Sequence, residues 1–145
     1  MAEMNSIEEK ALEILEAARL RRTPGRMRMM RILLGAEHPL SQQEIHTRSE
    51  LSKVSVYRAL ESFRAAGIVH RVDAGDRLWR FAVCECLHNV HCHPHFTCRV
   101  CGEVECLDQI SLEAFIPRIP LLPPGYHVEE QELYLRGACP KCSAK

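Results

Sequence analysis

Two Cys-x-x-Cys pairs constrain the fold of this 145-residue chain more than any other feature of its sequence. Cys98-Arg-Val-Cys101 and Cys139-Pro-Lys-Cys142 are separated by 37 residues. A turn of this kind directs two thiolates at one ion, and two such turns complete a tetrahedral four-cysteine zinc site. Because four thiolates leave no coordination position for water, we expect this zinc to be structural rather than catalytic.

Paired cysteines also occur in thiol-redox proteins, but no βαβ pattern of the thioredoxin type surrounds either pair. The N-terminal sequence MAEMNSIEEK lacks the basic and apolar segments of a signal peptide. No apolar run approaches the roughly 18 residues that a membrane-spanning helix needs. We therefore expect a cytoplasmic protein with no membrane partner, whose cysteines bind metal in a reducing environment rather than form disulfides.

Charges and cysteines divide the chain into two regions. Residues 1–82 contain 14 Lys+Arg and 11 Asp+Glu, whereas residues 83–145 contain 5 and 8. All eight cysteines lie at or beyond Cys84. Two functional regions, a basic one followed by a metal-binding one, explain this division most simply.

Helix-start signals recur through the N-terminal half. Ser6-Ile-Glu-Glu9 and Ser41-Gln-Gln-Glu44 are capping boxes, and Thr23-Pro24 supplies an N-cap with proline at the first helical position. A fourth helix is predicted from about Ser52 to Ala66, with Gly67 as its C-cap. The apolar residues that predict its buried face stand at three-residue steps: Val54, Tyr57, Leu60 and Phe63.

Two β-type segments follow these helices. Ile68–Val72 and Leu78–Val83 are joined by Asp73-Ala-Gly-Asp76, which contains the turn residues of a hairpin. Helices followed by a β-hairpin predict a winged helix-turn-helix, a variant of a DNA-reading motif.

In such a motif the helix at 52–66 would enter the major groove by its N-terminal residues. The candidate DNA contacts are Arg22, Lys53, Ser55, Tyr57 and Arg58. Hydroxyl groups suit phosphate, and Arg58 could make a bidentate contact to guanine. Six arginines and no acid between Arg19 and Arg31 suit neutralisation of the DNA backbone. The alternatives are a solvated arginine face and a Tyr57 that belongs to the core.

A second group of metal-ligand residue types lies within 23 positions around the first cysteine pair. Its members are Cys84, Cys86, His88, His91, Cys92, His93, His95 and Cys106. His93 and His95 would share one face of an extended segment. Hairpin pairing would also bring His70 near Cys84. A mixed His/Cys set favours Zn²⁺ over Mn²⁺ or Mg²⁺, so at least one further metal site is predicted. For any single residue the alternative is a surface histidine or a buried thiol.

Dimerisation is expected because helix-turn-helix proteins usually bind two-fold half-sites. Tyr126–Leu135 is a strand candidate. A small sheet containing Val104, Leu133 and Leu135 would suit a dimer interface.

Together, these residues resemble the ferric uptake regulator (Fur) family of bacterial metal-sensing repressors, over nearly the whole chain and in the family's order. The segments that carry the resemblance are Arg22-Thr-Pro-Gly-Arg26, Ser55-Val-Tyr-Arg58-Ala-Leu, Gly67-Ile-Val-His70-Arg, His93-Pro-His95-Phe-Thr-Cys98-Arg-Val-Cys101-Gly and Tyr134-Leu-Arg-Gly137-Ala-Cys139-Pro-Lys-Cys142. The resemblance implies an α+β fold, with an N-terminal winged helix-turn-helix domain at 1–83, a metal-ligating hinge at 84–92 and a small α/β dimerisation domain at 93–145. It also implies a homodimer that binds double-stranded operator DNA when metal-loaded and represses metal-uptake genes.

Within the family the sequence is most similar to the zinc uptake regulators. This similarity implies a second, regulatory zinc ion per subunit, held between the domains. The positions that correspond to its ligands are His70, Cys84, His91, His93, His95 and Cys106. Where iron and peroxide sensors have carboxylates around the His motif, this chain has Cys92 and Pro94, which leaves His127 as a weak candidate for any further site.

Other functions remain open at this stage. An iron- or peroxide-responsive regulator of the same family would need a donor set with less sulfur. A thiol-redox repressor could oxidise Cys84, Cys86, Cys92 or Cys106. A zinc-ribbon interaction module would leave the winged helix without a role. A zinc hydrolase or deaminase needs an open zinc position and a carboxylate base, and the sequence lacks His-Glu-x-x-His and His-x-Glu paired with Pro-Cys-x-x-Cys. We therefore expect no enzyme activity and no small-molecule substrate.

Overall fold

The computed structural model describes residues 2–84, 94–107, 109–110, 122–127 and 133–144, with side chains from residue 6 onward. The chain separates into two compact units, 1–87 and 88–145. Among the described residues, no helix combines the length and the hydrophobicity needed to cross a bilayer.

The first unit packs four helices against a small sheet. Its elements are α1 (Ala2–Ala17), α2 (Pro24–Leu34), β1 (Leu40–Ser41), α3 (Gln42–Ser49), α4 (Lys53–Ala65), β2 (Val69–Asp73) and β3 (Trp79–Val83). The sheet order is β1-β3-β2, and both pairings are antiparallel. Leu15, Met30, Ile45 and Phe63 are among the fully buried side chains of the core. This arrangement is the predicted winged helix-turn-helix.

Local capping chemistry sets most of the helix starts. The Thr23 side chain accepts a hydrogen bond from the backbone N–H of Arg26 (3.3 Å), as expected of an N-cap. Ser41 and Glu44 form the complete capping box, with reciprocal bonds of 3.2 and 2.7 Å. The prediction at Ser6 is wrong, because α1 already begins at Ala2 and Ser6 lies inside it. A capping-box sequence does not set the start of a helix when the residues before it also favour helix.

Helix α4 buries only half of the predicted row of apolar residues. Val56, Leu60 and Phe63 are buried, whereas Val54 and Tyr57 are 58% and 55% exposed. Steps of three residues lag the helical repeat of about 3.6 residues, so such a row drifts around the helix and leaves the core. Spacings of four and three, from Val56 to Leu60 to Phe63, stay on one side. Val54 and Tyr57 therefore face outward.

The turn from α4 into the hairpin depends on Gly67. Its N–H donates to the Arg64 carbonyl (2.9 Å), and the N–H of Ile68 donates to the Phe63 carbonyl (3.0 Å). This pattern is a Schellman motif, which needs a left-handed residue after the helix. Gly67 adopts φ 72° there.

The described part of the second unit contains a three-stranded sheet and a short helix. Its elements are β4 (His95–Cys98), β5 (Val104–Cys106), β6 (Tyr134–Gly137) and α5 (Pro140–Ser143). In the order β5-β4-β6, strand β4 pairs antiparallel with β5 and parallel with β6. Tyr126 and His127 lie outside any strand, so the strand predicted from residue 126 begins only at Tyr134 among the described residues.

Replacement of Gly67 tests the Schellman turn. Gly67→Ala should lower the free energy of unfolding by about 1 kcal/mol, because an L side chain is strained at positive φ. Gly25→Ala is the matched control. Its added Cβ would meet only Leu51 side-chain carbons, at 3.8 Å or more, and it should leave stability unchanged or slightly higher. Urea denaturation of both variants measures the difference. Equal effects at the two positions would contradict this account of the turn.

Candidate metal centres and nucleic-acid surface

The first cysteine pair lies in the turn between β4 and β5. Cys98 ends β4, and its N–H donates to the Glu103 carbonyl (2.9 Å), while the Gly102 N–H donates to the Cys98 carbonyl (2.9 Å). Gly102 adopts φ 75°, a left-handed conformation that glycine accepts without strain. The hairpin therefore presents Cys98 and Cys101 on one tight turn.

Strand pairing brings the second cysteine pair to the first. Strand β6 runs parallel to β4 with Gly137 opposite Cys98, and the Arg99 N–H donates to the Gly137 carbonyl (2.7 Å). Cys139 follows two residues later as the N-cap of α5, and its carbonyl accepts from the Cys142 N–H (2.9 Å). The register of β6 on β4 thus sets the distance between the two pairs.

The four sulfur atoms lie within 4.8 Å of one another, and the Cys101 and Cys139 sulfurs are 3.9 Å apart. Four sulfurs around one zinc ion, at Zn–S bonds of about 2.3 Å, are separated by about 3.8 Å. Cys98 and Cys139 are buried, whereas Cys101 is exposed. The predicted four-cysteine set comes together with the dimensions of a zinc site.

The electrostatics of this cluster favour a bound cation. The backbone N–H groups of Cys101 and Cys139 donate to the Cys98 sulfur, the latter at 3.3 Å, and lower the pKa of that thiol to about 6. The neighbouring Cys139 thiol raises the pKa of Cys142 to about 12. Without a cation the four groups do not ionise together, since a second thiolate beside the first is repelled. Four soft thiolates at this spacing fit Zn²⁺.

A second pair of ligand types lies at the other end of β4. His95, the first residue of the strand, is 1% exposed and stands opposite Cys106 on β5. Their ligand atoms lie within 4.8 Å of each other. The imidazole also stacks obliquely on Tyr134 of β6, with ring centroids 5.8 Å apart.

In the first unit, the hairpin carries a buried histidine and a buried thiol. His70 on β2 is 9% exposed and Cys84, directly after β3, is 4% exposed. His70 stands opposite Ala82, and the Cys84 N–H donates to the Ile68 carbonyl (2.9 Å). This register puts His70 and Cys84 on the same face, as diagonal neighbours about 7–8 Å apart between backbones.

The other candidate ligands are not all described by the structure. His91 and His93 lie outside the described residues, as do Cys86, His88 and Cys92. His127 is described and exposed.

All five candidate DNA contacts are exposed. They are Arg22, Lys53, Ser55, Tyr57 and Arg58. The exposure of Tyr57 excludes the core interpretation of that residue. A surface depression between α2 and α4 brings Arg58 beside Arg21 and Arg26. The outward face of α4 therefore combines cationic, hydroxyl and aromatic groups.

None of the candidate DNA contacts predicted from the sequence lies in the hairpin. The structure shows a groove between α4 and the hairpin, lined in part by Lys53, Tyr57, Arg71, Arg77 and Trp79. An arginine in a hairpin turn, followed by the exposed pair Leu78-Trp79, was the available signal.

Comparisons with known proteins agree with this architecture. The family model described as "Ferric uptake regulator family" matches residues 17–136. The peroxide-responsive repressor PerR of Staphylococcus aureus is 28% identical over 151 residues, covering 99% of this chain and 98% of its own.

Two solved structures extend the comparison. The holo form of the zinc uptake regulator XcZur is 27% identical with a TM-score of 0.68, covering 97% of this chain and 99% of its own. A zinc uptake regulator complexed with zinc and DNA shares the fold at 19% identity and a TM-score of 0.69, covering 97% and 95%. The winged helix, the four-cysteine cluster and a family match over most of the chain lead to one conclusion: this protein belongs to the ferric uptake regulator family of metal-responsive transcription regulators.

Proposed function

We propose that this protein is a zinc-responsive repressor that acts in the cytoplasm and binds double-stranded operator DNA as a homodimer. One observation carries the proposal: each unit holds a buried imidazole and a thiol on the same sheet face. Cys106 stands directly opposite His95, and Cys84 lies diagonally across the hairpin from His70. Histidines are seldom fully buried without a structural or functional reason. In a family of metal-responsive regulators, ligation is the simplest reason.

The four-cysteine cluster serves as the structural site. When bound there, zinc would supply charge compensation for four thiolates and a fixed tetrahedral geometry. Cys98 and Cys101 hold the β4–β5 turn, and Cys139 with Cys142 holds the start of α5 against it. Since no position remains for an exchangeable ligand, this site suits permanent occupancy rather than sensing.

The regulatory zinc is assigned to the two His/Cys pairs. His91 and His93 complete the list of candidate ligands. Imidazole and thiolate donors favour Zn²⁺ over Mn²⁺, which prefers oxygen. The Cys106 thiol stands directly opposite His95, at a position where a carboxylate would have favoured iron or manganese. This donor set supports a zinc sensor.

Coordination of the regulatory zinc by both pairs would make DNA binding depend on the metal. His70 and Cys84 belong to the domain proposed at 1–83 and its junction with the hinge at 84–92. His95 and Cys106 belong to the domain proposed at 93–145. Ligation by both domains restricts the arrangements that they can adopt. Aligning the two DNA-binding domains of a homodimer on DNA then costs less conformational entropy. The metal therefore has to bind the DNA-competent arrangement more tightly than the others.

A homodimer follows from the DNA-binding mode. Helix-turn-helix dimers bind half-sites related by two-fold symmetry. In the described sheet β6 is an edge strand, and Leu135 on it is 37% exposed. An apolar edge residue of this kind suits a partner subunit.

Relatives support this function and also its main rival. The similar structures include a holo zinc uptake regulator and a zinc uptake regulator complexed with zinc and DNA. The match to the peroxide-responsive repressor PerR favours a second candidate, a peroxide-responsive regulator. As family members both would be regulators rather than enzymes.

Binding of DNA across buffered metals separates these functions. Fluorescence anisotropy with promoter duplexes should show tight binding at low free Zn²⁺, and binding at least tenfold weaker in matched Fe²⁺ or Mn²⁺, because the donors are sulfur and imidazole. Hydrogen peroxide should leave the zinc-dependent binding unchanged. Binding promoted by iron and abolished by peroxide would favour the peroxide-responsive alternative.

Replacement of a proposed sensory thiol should change zinc dependence without loss of the structural metal. Cys84→Ser and Cys106→Ser should each require at least tenfold more free Zn²⁺ for half-maximal operator binding, since hydroxyl is a poor zinc ligand compared with thiolate. His127→Ala is the control, because His127 is exposed. Metal analysis should still find one chelator-resistant zinc per chain in all three variants. Unchanged zinc dependence in both serine variants would contradict the assignment of Cys84 and Cys106 as sensory ligands.

Replacement of a structural ligand should act differently. Cys98→Ser should lose the chelator-resistant zinc and unfold the second unit, because structural zinc supplies on the order of 10 kcal/mol of binding free energy that is coupled to folding. Limited proteolysis with mass spectrometry should show new cleavage beyond residue 93 and protection of residues 2–84. A folded second unit without zinc would contradict the structural role.

A further inference from the structure

The tip of the β2–β3 hairpin holds an arginine in an unusual backbone conformation. Arg77 has φ 66°, in the left-handed region, and its side chain is exposed. Glycine or asparagine would occupy this conformation at lower cost. Non-glycine residues in this region often mark functional positions, where the side chain is needed despite the strain.

Several contacts hold this tip in place. Arg80 makes a bidentate ion pair with Asp76, at 3.0 and 2.8 Å. The pair lowers the pKa of Asp76 to about 2, so the carboxylate stays charged well below neutral pH. The Asp76 carboxylate also accepts from the Leu78 N–H (3.2 Å), and Asp73 accepts from the Gly75 N–H (2.7 Å). These Asx-type bonds fix the backbone on both sides of Arg77.

A second contact stiffens the hairpin behind the tip. The Arg71 guanidinium lies over the Trp79 ring, 4.1 Å from its centroid. Arg71 is thereby held against an aromatic surface. The hairpin is a pre-organised support for its exposed turn.

Between α4 and this hairpin runs the groove described above. Apart from His46, the charged side chains that line it are four cations and one acid: Lys53, Arg64, Arg71 and Arg77 with Glu61. Arg64 and Glu61 pair with each other at 2.8 Å. Lys53, Arg71 and Arg77 remain to face a polyanion, alongside the exposed rings of Tyr57 and Trp79.

The geometry of duplex DNA indicates which part of the duplex would lie in this groove. If α4 enters the major groove, the sugar-phosphate strand that borders it must pass beside the helix. The cationic groove between α4 and the hairpin is the place for that strand, because phosphate contacts are made mainly by arginine and lysine. In this docking the minor groove would lie beyond the strand, and Arg77, at the exposed tip of the hairpin, would be placed to reach it.

We propose that Arg77 enters the minor groove next to the major groove contacted by α4, with the intervening strand held between Lys53 and Arg71. This inference rests on the proposed DNA-binding function and deepens it. Narrow minor grooves at A·T steps carry enhanced negative potential, which favours inserted arginine. The contact therefore adds selection for A·T pairs that α4 does not touch.

A base analogue that alters only the minor groove tests the proposal. A duplex would first be enriched by the zinc-loaded full-length chain from a random-sequence pool. Adenines flanking the major-groove contact would then be replaced by 2,6-diaminopurine. This base still pairs with thymine and leaves the major-groove pattern of A·T intact, but it adds the amino group that G·C presents in the minor groove. Wild-type affinity should fall about tenfold at the contacted step, within the range of a single base contact.

Arg77→Gly is the matching variant, because glycine keeps the left-handed turn and removes only the side chain. Its midpoint of thermal unfolding should equal or exceed that of the wild type. It should bind the unmodified duplex about tenfold more weakly and show no further loss with diaminopurine. Arg136→Ala, which removes an exposed arginine of the second unit, controls for loss of charge and should retain the diaminopurine effect.

The outcomes are distinct. A duplex pool from which the zinc-loaded wild type enriches nothing would overturn the proposed function itself. Binding by the wild type that is indifferent to diaminopurine would overturn the role of Arg77 alone, even if Arg77→Gly weakens binding, because the contact would then be to phosphate. Equal sensitivity of wild type and Arg77→Gly to diaminopurine would overturn it as well.

Discussion

Strand β4 is the element on which both clusters of candidate metal ligands in the second unit depend. Only four residues long, it has His95 at its start and Cys98 at its end. Antiparallel pairing with β5 sets Cys106 opposite His95, and parallel pairing with β6 brings Cys139 to Cys98. A one-residue slip in either register would turn a ligand to the opposite face of the sheet. The backbone hydrogen bonds of this short sheet therefore fix the geometry of both clusters.

This arrangement links the stability of one cluster to the other. The four cysteines come together at one end of the sheet, where the end of β4, the β4–β5 turn and the start of α5 meet. A strand rises about 3.3 Å per residue, so His95 lies about 10 Å from Cys98 along β4. A permanently occupied structural site would hold the register that His95 and Cys106 need before any regulatory metal binds. In our proposal the structural zinc thus pre-organises the sensory ligands. Binding of the regulatory ion then costs little further conformational entropy.

The first unit uses different forces to position its proposed metal ligands and its proposed DNA-facing groups. An apolar core of helices and sheet supports α4 and the hairpin, so exposed groups on both can be polar or strained without loss of the fold. Tyr57 and Val54 lie outward on α4, and Arg77 holds a left-handed turn. Such departures from local preference concentrate where a surface contacts a partner. The hairpin also carries His70 and leads directly to Cys84, so the surface proposed to read DNA and the proposed metal ligands share one small sheet.

The sequence by itself determined the helix starts at Thr23 and Ser41, the hairpin and the four cysteines of the cluster that could hold zinc, because capping bonds, turn residues and Cys-x-x-Cys pairs act over a few residues. It misjudged the start of α1 and the N-terminal half of the apolar row on α4, where helix propensity and packing outweigh a local motif or a row of apolar residues. Only the tertiary structure decided the two-residue strand β1, the register that sets His95 opposite Cys106, and the groove between α4 and the hairpin. Each depends on contacts between residues far apart in the chain, and a local sequence pattern does not specify which distant residues come into contact.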